Sequence, residues 1–389
     1  MARSGLEVLL EDVSRFQGAR VGICCNHTAV TRDLIHIVSA LKDRGLNLVR
    51  IFAPEHGVDA LAQDMITVED EGDVLQVVSL YGDTAESLRP SKSLMADLDV
   101  LFFDIQDIGT RYYTYQATLG FIMEVAVETG TRIVVLDRPN PIDGMSVEGN
   151  IVQAGFESFV SAYPLAVRHG MTMGELAGFF RGDQGIDCDV EVVQCQGWER
   201  HQWLDQTDLP WVFPSPNMPT LECAGIYPGM CLIEGTNLSE GRGTTRPFHL
   251  VGAPWIDRER FAELCVKGAA DAGLGGVAFR AASFEPRFQK HGGAPCHGIE
   301  IFVTDRDAME PFLLGLVVLE AALREDRGGF AWRTETYEFV DEPIAIDLLC
   351  GSAEARVGLE SRMRPRELLE GWSVQINDWL ERRESFLLY

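Results

Sequence analysis

Positive charge is scarce in this chain: 33 Lys and Arg stand against 59 Asp and Glu among 389 residues, a formal net charge of −26. A field of that sign repels phosphate backbones and anionic lipid surfaces, so neither nucleic acid nor a membrane is an expected partner. The nine cysteines contain no CxxC pair. That argues against a structural zinc or thioredoxin-like site, and an odd count without a framework reads as reduced, buried thiols. HExxH is missing too, and only His291 and His297 lie close together, so no metal is expected. A serine or cysteine nucleophile is poorly supported, because GxSxG is absent and Cys24 and Cys25 stand in strand-like sequence. No GxGxxG turn follows the first apolar run, which disfavours a nucleotide-dependent oxidoreductase and leaves no cofactor expected. The N-terminal stretch MARSGLEVLLEDVSRF carries acids within its apolar positions and has no long uncharged run. It reads as neither signal peptide nor span, so a cytoplasmic location is expected.

What is present is an ordinary globular composition, 46% hydrophobic and 24% charged, on a chain long enough for two domains. The first half alternates β-branched apolar runs with helical patterns, the signature of parallel strands joined by crossover helices and hence of an α/β fold. Strands are expected at 19–25, 46–52, 98–103 and 131–136, and helices at 34–44 and 118–128. Thr172 followed by Glu175 is a capping box that opens a further helix over 172–180. From 210 to 254 the chain is rich in Pro, Gly, Asn and Thr and reads as a long irregular loop system. Beyond it, a helix at 258–272, strands at 277–281 and 298–303 and a helix at 309–324 make a smaller α+β unit. The expected division is a catalytic domain over 1–245 and an auxiliary domain over 246–389 that contributes to the cleft.

Each early strand ends in a polar cluster: Asn26-His27-Thr28, Pro54-Glu55-His56-Gly57, Asp104-Ile105-Gln106-Asp107 and Asp137-Arg138-Pro139-Asn140. Open α/β sheets bind ligands outside the carboxyl ends of their strands, so the four clusters are expected to converge on one crevice. Any one of them could instead be a helix cap or a turn. Glu55, between Pro54 and Gly57, stands in a sharp turn where a carboxyl held against an apolar wall would serve as a general acid. Candidates for a second carboxylate are Asp104, Asp107, Asp137, Glu234 and Glu240, the last in the glycine-flanked Ser239-Glu240-Gly241-Arg242-Gly243 loop. Tyr112, Tyr113, Tyr115, Trp198, Trp211, Tyr227 and Trp255 offer flat faces on which a sugar could stack, although such rings are more often core. Arg111, Arg138, Arg168 and Arg242 adjoin the polar clusters and could fork onto a carboxylate.

The segments VGICCNHTAV, FAPEHG, SLYG, DIQDIGTRYYTY, VLDRPNPIDG, RHGMTMGELA, WVFPSPNMP, YPGMCLIEGTNLSEGRGTTRPF and GAPW, in this order, resemble the exo-β-N-acetylmuramidase family, long catalogued as a domain of unknown function. The resemblance implies a Rossmann-like N-terminal domain with a smaller C-terminal one, and release of N-acetylmuramic acid from the non-reducing ends of peptidoglycan fragments. It marks Glu55 as the glutamate expected to be catalytic and Glu240 as a second, cleft-lining glutamate, and a muropeptide or other amino sugar as the small-molecule substrate. The lactyl carboxylate of muramic acid would give the arginines a ligand. Expected substrate-binding residues are Asn26, His56, Asp104, Gln106, Arg111, Tyr112, Tyr115, Asp137, Arg138, Asn140, His169, Asn217 and Arg242. Two departures stand out: 58–65 lacks the Gly-rich, Arg-bearing segment usual after PEHG, and His249 replaces an acid after TTRPF. A muropeptide-binding protein without turnover and a hydrolase of a different amino sugar therefore stay open, as do the stereochemical course and a homo-oligomer built on the Pro- and Gly-rich segment.

Overall fold

The computed structural model describes residues 1–55, 57, 75–82, 84–325 and 328–389. His56 and the departing segment 58–65 lie outside the described residues.

Eleven described strands run β1 Arg20–Cys25, β2 Asn47–Ala53, β3 Gln76–Ser79, β4 Val100–Asp104, β5 Arg132–Leu136, β6 Glu148–Ile151, β7 Ala166–Arg168, β8 Val190–Val193, β9 Leu250–Ala253, β10 Val277–Phe284 and β11 Cys296–Val303. Six form a wholly parallel sheet in the order β3-β2-β1-β4-β5-β8. The chain reverses its direction of travel between β1 and β4, the switch-point topology of a Rossmann-like sheet. Covered on both faces, β1 from Val21 onward and all of β4 are buried, which is why they read as unbroken apolar runs rather than alternating ones.

The strands expected in the first half are all present, within a residue or two at each end. The helix expected from 34 starts only at Ile37. Leu34 is in the left-handed region (φ 61°), Val30 bridges His36, and the His36 ring accepts from Val38 N as the cap. The Thr172–Glu175 box is formed, with Glu175 N donating to Thr172 Oγ1 at 3.2 Å and Thr172 N to Glu175 Oε2 at 2.9 Å. Two edge strands, β3 and β8, were not anticipated. Each is four residues long and half-buried, too short for its periodicity to stand out.

One expectation needs correcting. The stretch 210–254 is not irregular throughout, because Leu221–Met230 is an α-helix continued by a 3₁₀ turn at Cys231–Gly235. Thr220 caps it, accepting from Cys223 N at 3.2 Å. The helix is buried on nearly all sides from Cys223 to Met230 and so lacks the polar stripe by which a surface helix is recognised, while Pro228 and Gly229 read as breakers. It packs on Pro311–Glu325, a helix almost wholly buried, which also packs on Arg258–Ala272. The latter lies against the antiparallel sheet β10-β11-β9. Residues of both halves thus share one continuous hydrophobic core. All nine cysteines are free and buried, and none of the described helices is long and apolar enough to cross a membrane.

Candidate active site

A cavity of about 1100 Å³ opens over the carboxyl ends of β2 and β3 and the loop after β4, and is walled on its far side by 289–291 and 331–339. Glu55 lines it two residues past β2. The turn around it is closed by Gly57 N donating to Pro54 O at 3.0 Å, with Gly57 at φ 78°, a conformation that costs glycine little. Thr114 Oγ1 donates to Glu55 Oε2 at 2.5 Å. Because Ala53 pairs with Ser79 across β2 and β3, the residues two positions on, Glu55 and Tyr81, emerge from adjacent strand ends onto the same cavity.

The middle of the cavity is lined by Tyr112, Tyr113, Tyr115 and Tyr227, whose rings meet edge to face at centroid distances of 5.1–5.8 Å. Burial pushes all four phenols up, so they are neutral donors at physiological pH. Tyr112 donates to Pro228 O and Tyr115 to Pro214 O at 2.7 Å, which fixes both ring planes.

Farther in, two carboxylates and two cations interlock. Arg242 Nη2 meets Glu234 Oε1 at 2.5 Å and its Nε meets Glu240 Oε1 at 3.2 Å, while Lys290 Nζ stands 3.0 Å from Glu240 Oε2. Burial alone would raise Glu234, but Arg242 beside it holds the carboxyl below its ordinary value. The loop bearing Glu240 bends through two left-handed glycines, Gly241 and Gly243, both at φ 76°. Tyr337 Oη donates to Glu234 Oε2 at 3.1 Å, and the next residue, Glu338, accepts from Tyr81 Oη at 3.1 Å.

Of the residues expected to bind substrate, Tyr112, Tyr115, Asn217 and Arg242 line this cavity together with Glu55 and Glu240. The others described do not line it, and their bonding shows what they do instead. Asn26 donates to the Tyr115 hydroxyl at 3.0 Å and holds Thr28 through its Oδ1, supporting the wall from behind. Asp104 is fully buried in a two-point pair with Arg138, at 2.5 and 3.1 Å. Gln106 donates to Asp107 O and Pro139 O, and Asn140 to Met171 O. His169 Nδ1 accepts from Met171 N, with its Nε2 3.7 Å from Asp107 Oδ2. Arg111 is sealed in the core, donating to Asn150 O, Leu165 O and Leu349 O, and burial brings it down to about 10. Asp137 accepts from Thr172, Gly174 and Tyr389. The clusters after β1, β4 and β5 are therefore largely spent on caps and loop ties, although Asp107 Oδ1 and His169 Nε2 are buried without a hydrogen-bond partner. Arg168 is likewise occupied, by Asp143 and Glu148. Trp198, Trp211 and Trp255 do not line the cavity, whereas Trp332 does. His249, the second departure, has its ring nitrogens 2.9 Å from Glu222 Oε1 and 3.1 Å from Pro247 O, both hydrogen-bond acceptors, and does not line the cavity.

Sequence reading passed over Tyr81, Lys290, Arg333, Tyr337 and Glu338. Tyr81 stood in the SLYG segment, but nothing in 331–339 carries a helical or strand period, and its dense mixture of Trp, Arg, Tyr and Glu was the only available signal.

The N-terminal exo-beta-N-acetylmuramidase NamZ family matches residues 21–222, and the corresponding C-terminal family matches 225–389. The chain belongs to the NamZ family. A peptidoglycan beta-N-acetylmuramidase NamZ of Bacillus subtilis (strain 168) is 40% identical over 392 residues, spanning 100% of this chain and 91% of that protein. Crystal structures of two DUF1343 family proteins from Bacteroides fragilis NCTC 9343 superpose over 100% of this chain and 99% of theirs. Their TM-scores are 0.86 and 0.78, at 32% and 28% identity. The two-domain α/β architecture expected from the sequence is thus the NamZ architecture.

Proposed function

We propose that the chain is an exo-acting glycoside hydrolase that releases N-acetylmuramic acid from the non-reducing ends of peptidoglycan fragments, with Glu55 as general acid. The observation that carries this reading is the cavity itself: Glu55 faces a space of about 1100 Å³ walled by aromatic rings and charged side chains. That is slightly more than the usual small-ligand site and suits more than one sugar ring. Family membership and the 40% identical muramidase of Bacillus subtilis support the same substrate class. The fragments in question would be wall material recycled inside the cell.

Glu55 would protonate the departing glycosidic oxygen, while Glu240, or the substrate's own acetamido group, steadies the oxocarbenium-like state. Since Arg242 is held by two carboxylates, the cavity arginine left for a lactyl carboxylate is Arg333. It stands over the Tyr337 ring and donates to Thr336 O; it forms no close ion pair among the described residues, although its charge acts on the nearby Glu338 carboxyl. Residues 1–245 would supply the acid and 246–389 the far wall.

The test is incubation of the protein and of Glu55→Gln with a MurNAc-GlcNAc disaccharide and with para-nitrophenyl MurNAc, followed by mass spectrometry. Release of MurNAc by the wild type, and a loss of at least about a hundredfold on the disaccharide in the variant, is expected. Binding of the disaccharide without release would instead indicate a sensor, and release of a different amino sugar another hydrolase.

A further inference from the structure

Thr114 and Tyr115 open one helix, Tyr115–Thr129, and anchor two sides of the cavity from it. Thr114 Oγ1 donates to Glu55 Oε2 at 2.5 Å, and Tyr115 Oη donates to Pro214 O at 2.7 Å. The segment Pro214-Ser215-Pro216-Asn217-Met218 is thereby tied to the same helix start as the proposed acid. Within it, Met218 N donates to Ser215 O at 3.0 Å, closing a turn whose second residue, Pro216, has its φ set by its ring. Asn217 is the third residue of that turn. The Cys223 thiol lies 3.7 Å from Asn217 O and 3.4 Å from Pro247 O, so the turn is also held by the helix Leu221–Met230 and abuts the backbone just before Phe248.

This rigid turn presents an amide with nothing in the protein to bond. Asn217 lines the cavity and is only 7% exposed. Its Oδ1 and Nδ2 have no hydrogen-bond partner among the described residues, yet neither atom is sealed from the surface. What remains exposed of Asn217 is therefore its amide, facing the cavity. A buried amide is ordinarily satisfied internally. The cavity's other described asparagine, Asn237, behaves that way, with Nδ2 donating to Gly329 O at 2.7 Å and Oδ1 accepting from Ala331 N at 3.0 Å. Met218, Tyr227 and Phe248 line the cavity as well, the last two with ring centroids 4.9 Å apart. An open amide beside an apolar corner complements an acylated amine, which carries one N–H, one carbonyl and one methyl group.

We propose that Asn217 reads the acetamido group of the bound sugar. Its Oδ1 accepts from the acetamido N–H, its Nδ2 donates to the acetamido carbonyl, and the methyl group packs against Met218, Tyr227 and Phe248. This deepens the hydrolase reading above and rests on it for the sugar. Asn217 is then a specificity residue: a sugar with a free amine brings no acceptor to Nδ2 and no methyl to the apolar corner, leaving a buried donor unpaired.

The experiment is calorimetric binding of MurNAc and of muramic acid, the same sugar with a free amine, to wild type, Asn217→Ala and Asn217→Asp. It is run beside kcat/KM on the para-nitrophenyl glycosides of both sugars. Wild type should prefer MurNAc by at least about a hundredfold. Asn217→Ala should cut that preference by at least about tenfold. Asn217→Asp, which sets a carboxylate against the ammonium, should move it further toward muramic acid. A wild type without preference would overturn the proposal, as would variants that lose affinity for both sugars equally, since a merely structural residue does that. A preference seen in binding and lost in the variants, with neither glycoside hydrolysed, refutes the hydrolase reading and leaves the acetamido site standing. Hydrolysis of both glycosides at one rate does the reverse.

Discussion

Tyr389, the last residue of the chain, donates its hydroxyl to Asp137 Oδ2 at 2.6 Å, closing over the end of β5 from 252 positions away. The same hydroxyl accepts from Cys195 N at 2.9 Å beyond β8. The C-terminus is thereby a clamp across two neighbouring strands of the parallel sheet. Asp137 is fully buried, and burial pushes its carboxyl up to about 6 in spite of the donors around it.

That shift fixes a pH dependence of stability. A carboxyl that holds its proton more tightly folded than unfolded stabilises the fold at low pH and loses that contribution as pH rises through its folded value. The contribution of Asp137 should be complete below about pH 4 and gone above about pH 6, a difference on the order of 3 kcal/mol. Asp137→Asn should remove this component from urea midpoints measured between pH 4 and 7. Tyr389→Phe should cost about 1–3 kcal/mol at neutral pH, where the carboxylate loses a donor.

Gly229 and Gly315 bring the helices Leu221–Met230 and Pro311–Glu325 into backbone contact. A Cβ on Gly229 would lie 1.7 Å from Pro311 O and 2.7 Å from Gly315 N. Gly229→Ala should therefore force the two helices apart and destabilise by on the order of 3 kcal/mol. Since Tyr227 lines the cavity from the same helix, KM should rise as well. An unchanged thermal midpoint would contradict this contact.

Glu240 is only 3% exposed and faces Lys290 and Arg242. Glu240→Gln leaves a buried excess of positive charge, and a loss of about 3–5 kcal/mol is expected by chemical denaturation. Adding Lys290→Met should recover only part of it, because Lys290 also satisfies Ile233 O and Leu238 O.

Glu338 and Phe339 form the tip of a tight turn closed by Tyr337 and Val340, both in the left-handed region, and there stability and activity should move in opposite directions. Glu338→Asn places a residue that tolerates the left-handed region at φ 46°, and thermal stability should rise by up to about 1 kcal/mol. Hydrolysis of the disaccharide should fall at the same time. A variant both less stable and fully active would contradict the turn's role.

Much of this architecture is written locally. Apolar runs such as that from Val21 to Cys25 specify parallel strands because a sheet covered on both faces needs side chains that want no water on either side. Thr172 and Glu175 specify a helix start because the capping box closes within four residues. The motifs containing Glu55 and Glu240 likewise marked two cavity carboxylates from short segments alone. The remainder depends on distance in the chain. Whether a polar cluster at a strand end meets ligand or merely ties loops is decided by what folds over it. Asp104 and Arg138 look like ligands in sequence and become a sealed pair because each is the other's nearest countercharge. Glu338 lies 283 residues beyond Glu55 in a stretch without periodicity, and only packing of the second half onto the first sets it beside Tyr81. Sequence by itself determined the central strands, the Thr172–Glu175 cap and the short motifs that carry Glu55 and Glu240, whose causes are local. Tertiary structure decided which charges are neutralised and which face the cavity, because burial and countercharge are properties of neighbours in space.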